Sequence, residues 1–162
     1  MVIARDIKNG YYNVNISWSY EDSNGSHIGG PITKMIYILP AVRLVDFGWE
    51  PTDFLDLFPK GEIKTTGERK FYFKIESMSS STIYSGLYCK ANFTINEPRL
   101  NMTITPISIN VEPLGPQGKS KEYGFTVVAR NAPPGTYGIT VYLYSSEYLV
   151  TKHSLEVKVI PD

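Results

Sequence analysis

A chain of 162 residues, 42% hydrophobic and 20% charged, is long enough to bury a real core and has an ordinary globular make-up. Sixteen Lys and Arg balance sixteen Asp and Glu, so no net field favours nucleic acid or an anionic membrane surface. A single cysteine, Cys89, excludes an internal disulfide and leaves the fold to its core.

The aromatic share is 13%, with 12 Tyr and 7 Phe, a composition that suits pleated, half-buried surfaces. Tyr12, Val14, Ile16, Trp18 and Tyr20 alternate with Asn13, Asn15, Ser17 and Ser19. That period of two predicts a strand over Tyr11 to Tyr20 with one face buried and one wet. The pair Asn24-Gly25 marks the turn after it. Gly29-Gly30-Pro31 reads as a second punctuation, and Ile32 to Leu39 as a strand stopped by Pro40. Val42 to Phe47 continues onto a neighbouring sheet. Trp49 to Phe58 reads either as a short helical turn capped by Thr52 or as a surface loop with an aromatic lid.

Phe71, Phe73 and Ile75 alternate within Arg69 to Glu76, and Ser77 to Thr82 is a small polar loop. Ile83 to Ile95 reads as one strand or two, with Gly86 as a bulge. Alternation then recurs at Leu100-Met102-Ile104, Ile107-Ile109-Val111, Tyr123-Phe125-Val127-Ala129, Tyr137-Ile139-Val141-Leu143 and Leu155-Val157-Val159. Eight to ten short strands with turn signals between them predict an all-β, antiparallel, immunoglobulin-like β-sandwich. Nothing sustains a helical period, so parallel α/β folds, which need crossover helices, are excluded.

Catalysis finds little footing. A Ser or Cys nucleophile needs a base beside it, and the only imidazoles, His27 and His153, sit in no nucleophile motif. Cys89 in a strand reads as an inert buried thiol. No Cys/His cluster has zinc spacing, and Cys89 is followed by Lys90-Ala91-Asn92, without the nearby His that blue copper requires. Asp53 and Asp56 alone make a thin calcium set. No enzyme activity, metal or cofactor is expected. No apolar run reaches membrane-span length, and no signal-like stretch opens the chain. Either the protein is not exported or this is a mature or truncated form lacking its signal or anchor, and the second is the preferred reading.

Four glycosylation sequons stand at Asn15, Asn24, Asn92 and Asn101, where composition gives roughly one or two by chance. Each falls on a turn or on the polar side of its strand, as a glycan requires. Trp49, Phe54 and Phe58, and separately Tyr142, Tyr144 and Tyr148, are candidate binding aromatics, able to stack on sugar or fill a partner's pocket.

Pro133-Pro134-Gly135-Thr136-Tyr137-Gly138-Ile139-Thr140-Val141 places a Pro-Gly turn before a Tyr-led alternating strand. Together with Pro113 to Gly118 and Tyr123 to Val127, it resembles Ig-like domains of archaeal and bacterial cell-surface proteins over about 98–160. The resemblance implies a single sandwich domain over 1–162, with 1–97 an added sheet or N-terminal extension. It implies a non-catalytic module of an archaeal-type envelope or surface appendage. Such a module contacts other envelope proteins, copies of itself or glycans, and binds no nucleic acid. The region Val2 to Tyr20 is a candidate for donation to a neighbour. The alternatives are a carbohydrate-binding or accessory domain of a secreted enzyme, built around Trp49, and a viral capsid or spike protein.

Overall fold

Period-two alternation becomes two facing sheets. The computed structural model describes residues 6–57, 59–95 and 100–162. Eleven strands are named among them: β1 (Gly10–Asp22), β2 (Gly25–Ile38), β3 (Val42–Trp49), β4 (Glu62–Lys64), β5 (Glu68–Ser77), β6 (Leu87–Phe93), β7 (Met102–Thr105), β8 (Ile109–Asn110), β9 (Tyr123–Ala129), β10 (Gly135–Ser145) and β11 (Tyr148–Ile160). One layer has the order β3-β5-β9-β7 and the other β4-β11-β10-β6-β8. Neighbours run antiparallel except β4 beside β11. In chain order the strands alternate between the two layers from β3 through β10, and only β10 and β11 follow one another within a layer. With β3, β5, β9 and β7 in one layer and β6, β10 and β11 in the other, this is the immunoglobulin-type arrangement of two Greek-key sheets. The short β8 departs from the simplest form by returning to pair with β6.

The core follows from the alternation. Phe71, Phe73 and Ile75 of β5 and Phe125 and Val127 of β9 point inward from one layer. Cys89 of β6, Ile139, Val141 and Leu143 of β10, and Val157 and Val159 of β11 meet them from the other. Phe73 stacks on Phe125 at 6.0 Å between ring centroids. Each of these side chains contributes roughly 1.5–3 kcal/mol through burial. All the strands of this core lie between Val42 and Ile160, so residues well before 98 supply half of the sandwich.

Four local expectations are corrected. Gly29-Gly30-Pro31 does not separate strands; it lies inside β2, where Gly30 and Pro31 stand opposite Ser17 alone in a bulge. A bulge is where a strand tolerates a residue without an N–H. The Thr52 segment forms no helix. The Asp56 carboxylate accepts from Thr52 N and Oγ1 and Asp53 Oδ1 accepts from Leu55 N, side-chain bonds that compete with a helical ladder. The last strand does not wait for the alternation at Leu155: a tight hairpin turn after Ser145 leads at once into β11 at Tyr148. Finally, β1 and β2 form a separate two-stranded sheet outside both layers, and the apolar face predicted to be buried is exposed.

The registers fix the ends of the sandwich. Val42 pairs with Ser77 and Leu87 with Ser145, so the β1–β2 hairpin, the Ser77–Thr82 loop and the β10–β11 turn share one end. Trp49 pairs with Phe71 and Glu62 with Lys158, so the segment carrying Phe54 lies at the opposite end.

Candidate interaction surface

The hairpin is an arm. Thirteen and fourteen residues in register give it a length of about 44 Å at ~3.4 Å per residue. Side-chain alternation divides it into two faces. One carries Tyr12, Val14, Ile16, Trp18 and Tyr20 from β1 and Ile36 and Ile32 from β2. All but Val14 are exposed, Trp18 at 47%. Lys34, opposite Val14, and Asp22 at the tip are its charged members, and His27 is a further polar one. The other face carries Tyr11, Asn13, Asn15, Ser17 and Ser19 with Thr33 and Tyr37, interrupted by Met35 and Ile28.

Two glycines shape the apolar face. A β-carbon on Gly29 would sit 2.2 Å from Trp18 Cε2, and one on Gly30 would sit 2.7 Å from the Ile16 carbonyl oxygen. Gly30 also has φ +90°, a conformation costly for other residues. Their bare backbone lets the indole lie flat across β2. Beyond it Tyr20 stacks on His27 at 4.7 Å, and His27 Nε2 lies 3.1 Å from Asp22 Oδ1.

The bonds that hold the arm to the sandwich cluster at its base. Tyr11 packs edge-on against Tyr37 at 4.8 Å, and Tyr37 stacks on Tyr148 at 4.5 Å. Tyr11 Oη donates to Glu147 Oε1 at 3.0 Å and lies 3.2 Å from Tyr148 Oη. Hydrogen bonds to Tyr148 and then Glu147 raise the Tyr11 phenol above its ordinary value. Tyr37 Oη and Ser145 Oγ are 2.6 Å apart, and Asn9 Nδ2 donates to Ser145 Oγ and Ser85 O. Before the arm, Asp6 Oδ1 accepts from Ser79 Oγ, Ser80 N and Ser80 Oγ. The Ser79 and Ser80 bonds hold its carboxyl down at about 2. After the arm, Pro40 and Val42 are buried, and Met78 N donates to Ala41 O.

Among the aromatics proposed from sequence, Tyr148 belongs to this base cluster. Tyr142 and Tyr144 lie half-buried on the outer surface of the β6-β10-β11 sheet. There Tyr144 stacks on Tyr88 at 5.2 Å, and Lys90 Nζ stands 5.9 Å from the Tyr88 ring centroid. Trp49 is half-buried, edge-on to Phe71 at 5.5 Å and pressed against Gly61, so it closes the end of the core. Phe54 is 90% exposed at the far end. It shares no platform with Trp49, and Phe58 lies outside the described residues. Tyr11, Tyr37 and Tyr88 were not picked out as candidates. Tyr11 falls on the side of its strand that alternation assigns to water, and only the pairing with Tyr37 reveals its role.

The four sequon asparagines are exposed. Asn15 lies on the less apolar face of the arm, where its Oδ1 accepts from Thr33 Oγ1, and Asn24 lies in the turn at the tip. Asn92 pairs with Thr140 across β6 and β10. Asn101 has φ +48° and its Nδ2 donates to Asn131 O. The segment Val2 to Tyr20 is not a free strand. Its described part begins at Asp6 and from Gly10 on is already paired with β2 along one edge, and residues 2–5 lie outside the described residues.

Chemistry-bearing groups are dispersed. His27 is on the arm, and His153 lies in β11 stacked on Phe47 at 3.9 Å. Cys89 is fully buried, and desolvation pushes its thiol up to about 12. The backbone bond from Thr52 holds Asp56 below the ordinary carboxylate value, and its other partner is Arg69 at 3.5 Å. Among the described residues no group of three His, Cys, Asp or Glu is placed to hold a metal, and no helix is long and apolar enough to cross a membrane.

No family model matches the chain, and no curated protein matches it. Among solved structures it is similar to the CARDB domain of a Pyrococcus furiosus protein, with 10% identity and a TM-score of 0.48 over 75% of this chain and 96% of that one. It is also similar to WR4, an MSP family member of C. elegans, with 13% identity and a TM-score of 0.37 over 62% of this chain and 93% of that one. Both are β-sandwich likenesses.

Proposed function

We propose that the chain is a non-catalytic structural module on the outside of an archaeal-type cell, part of an envelope or surface appendage, and that it acts through protein–protein contacts. The observation that carries this reading is the arm. A two-stranded sheet alone is marginal in water, and this one exposes six large aromatic and aliphatic side chains of β1 and β2 on one face, with no covering layer among the described residues. Exposed apolar patches of that size mark interaction sites. The sandwich supplies a rigid base, and the sequons supply the surface chemistry expected of an exterior glycoprotein. The buried thiol and the dispersed imidazoles support a non-catalytic role.

The test is made in the native host. Protease added to intact cells should cleave the arm, and enzymatic deglycosylation should lower the mass of the chain, with loss of modification in Asn→Gln variants at 15, 24, 92 or 101. A chain that is protected inside the cell and carries no glycan contradicts the exterior reading.

A further inference from the structure

We infer that the occupant of the arm's apolar face is the same face of a second copy, giving a closed two-fold dimer with Trp18 at its centre. The inference deepens the proposed function and rests on the arm being a protein-contact element.

The face is self-complementary about one point. Lys34 lies at the level of Val14, and Asp22 lies at the tip. Level 18, where Trp18 crosses Gly29, is midway between levels 14 and 22. A two-fold axis through that level, with the two arms running in opposite directions, brings Lys34 of each copy to the level of Asp22 of the other. The same operation brings the Ile16–Ile32 pair to the level of the stacked Tyr20–His27 pair. Aliphatic side chains then meet aromatic ones, and the flat indoles meet at the axis. Face-to-face sheets pack about 10 Å apart, within reach of a lysine stem. An isologous contact demands this kind of self-matching patch. An acidic or basic partner would not match a face whose described charges are Lys34 near one end and Asp22 at the other.

Area agrees. With aromatics burying about 150–250 Å² each when fully covered, the part-exposed side chains between levels 14 and 22 offer roughly 500 Å² per copy. Two copies give on the order of 1,000 Å², the lower bound for a specific interface, so a dissociation constant in the micromolar range is expected. The arm's two sequons do not obstruct such a dimer. Asn15 is on the opposite face, and Asn24 is in the turn.

The experiment is sedimentation equilibrium of the full chain from about 1 to about 200 µM. The expected result is a reversible monomer–dimer equilibrium. Ile16→Asp should weaken it at least about 100-fold, and Lys34→Asp about 10-fold. The pair Lys34→Asp with Asp22→Lys should recover most of that loss, and Asn13→Asp on the opposite face should leave the equilibrium unchanged. Circular dichroism of each variant keeps misfolding apart from dissociation, and the charge-swap rescue requires a folded arm. A chain that is monomeric throughout, an open series of larger species, or a dimer insensitive to Ile16→Asp and Lys34→Asp overturns the proposal. If monomeric protein is still found glycosylated and protease-accessible on intact cells, the two-fold dimer fails and the exterior module stands. If both measurements fail, both readings fall.

Discussion

The indole of Trp18 lies so close over Gly29 that a β-carbon there would stand 2.2 Å from Cε2. Glycine at 29 is what allows the arm to present a flat aromatic plate, and the bulge at Gly30-Pro31 brings that glycine into register. Gly29→Ala should therefore displace the indole while leaving the sandwich intact. The Trp18 Nε1–H resonance should shift and broaden, and arm amides around residues 14–20 should lose protection. The cooperative melting of the sandwich should move by no more than about 2 °C. An unchanged indole resonance would refute the close packing.

Tyr37 and Ser145 tie the arm to the β10–β11 turn. Tyr37→Phe removes the hydroxyl and leaves the stack on Tyr148. At about 1 kcal/mol for a typical hydrogen bond, the loss should register as faster exchange in the arm near Tyr11 and Tyr37. Ser145→Ala should cost more than Tyr37→Phe, because Ser145 Oγ also accepts from Asn9 Nδ2. A double-mutant cycle measures the coupling.

Asp6 gives a pH signature. Its folded value is near 2 against an ordinary 3.8, because Ser79 and Ser80 hydrogen-bond the carboxylate. The folded state thus binds the proton less tightly than the unfolded one. The stabilisation is fully present above about pH 4 and fades as pH falls toward 2. Wild type and Asp6→Asn should differ in stability at pH 6, and the difference should shrink across that window. A difference that grows on acidification would contradict the assignment.

Much of the sandwich was legible in the sequence because each core strand alternates cleanly. Phe71-Phe73-Ile75, Tyr123-Phe125-Val127 and Ile139-Val141-Leu143 all point inward as their spacing predicts. The arm was legible as strands and illegible in its setting. Tyr12 to Tyr20 has the same alternation as a core strand, and periodicity says which side chains share a face without saying what covers that face. Tyr11 and Tyr37 join Tyr148 in one cluster only through ring contacts between residues more than a hundred positions apart in sequence. Trp49 was a fair candidate platform by composition; the side-chain-free Gly61 beside it lets it close the core instead.

Core truncation checks the layer assignment. Phe73→Ala removes a fully buried ring that stacks on Phe47 and Phe125 and should destabilise by about 3–5 kcal/mol. In the same experiment Cys89 serves as a reporter. Its thiol should ignore disulfide reagents in the folded protein and react fully on denaturation, and Phe73→Ala should bring that reaction to lower denaturant concentration.

Amide hydrogen exchange at about 1 µM and about 200 µM protein tests most directly whether association covers the arm. Protection of residues 12–20 and 28–36 should rise with concentration while the strands carrying Phe73 and Val141 stay constant. Arm amides equally protected at both concentrations, or equally unprotected, would contradict a hairpin whose apolar face is completed by a second copy.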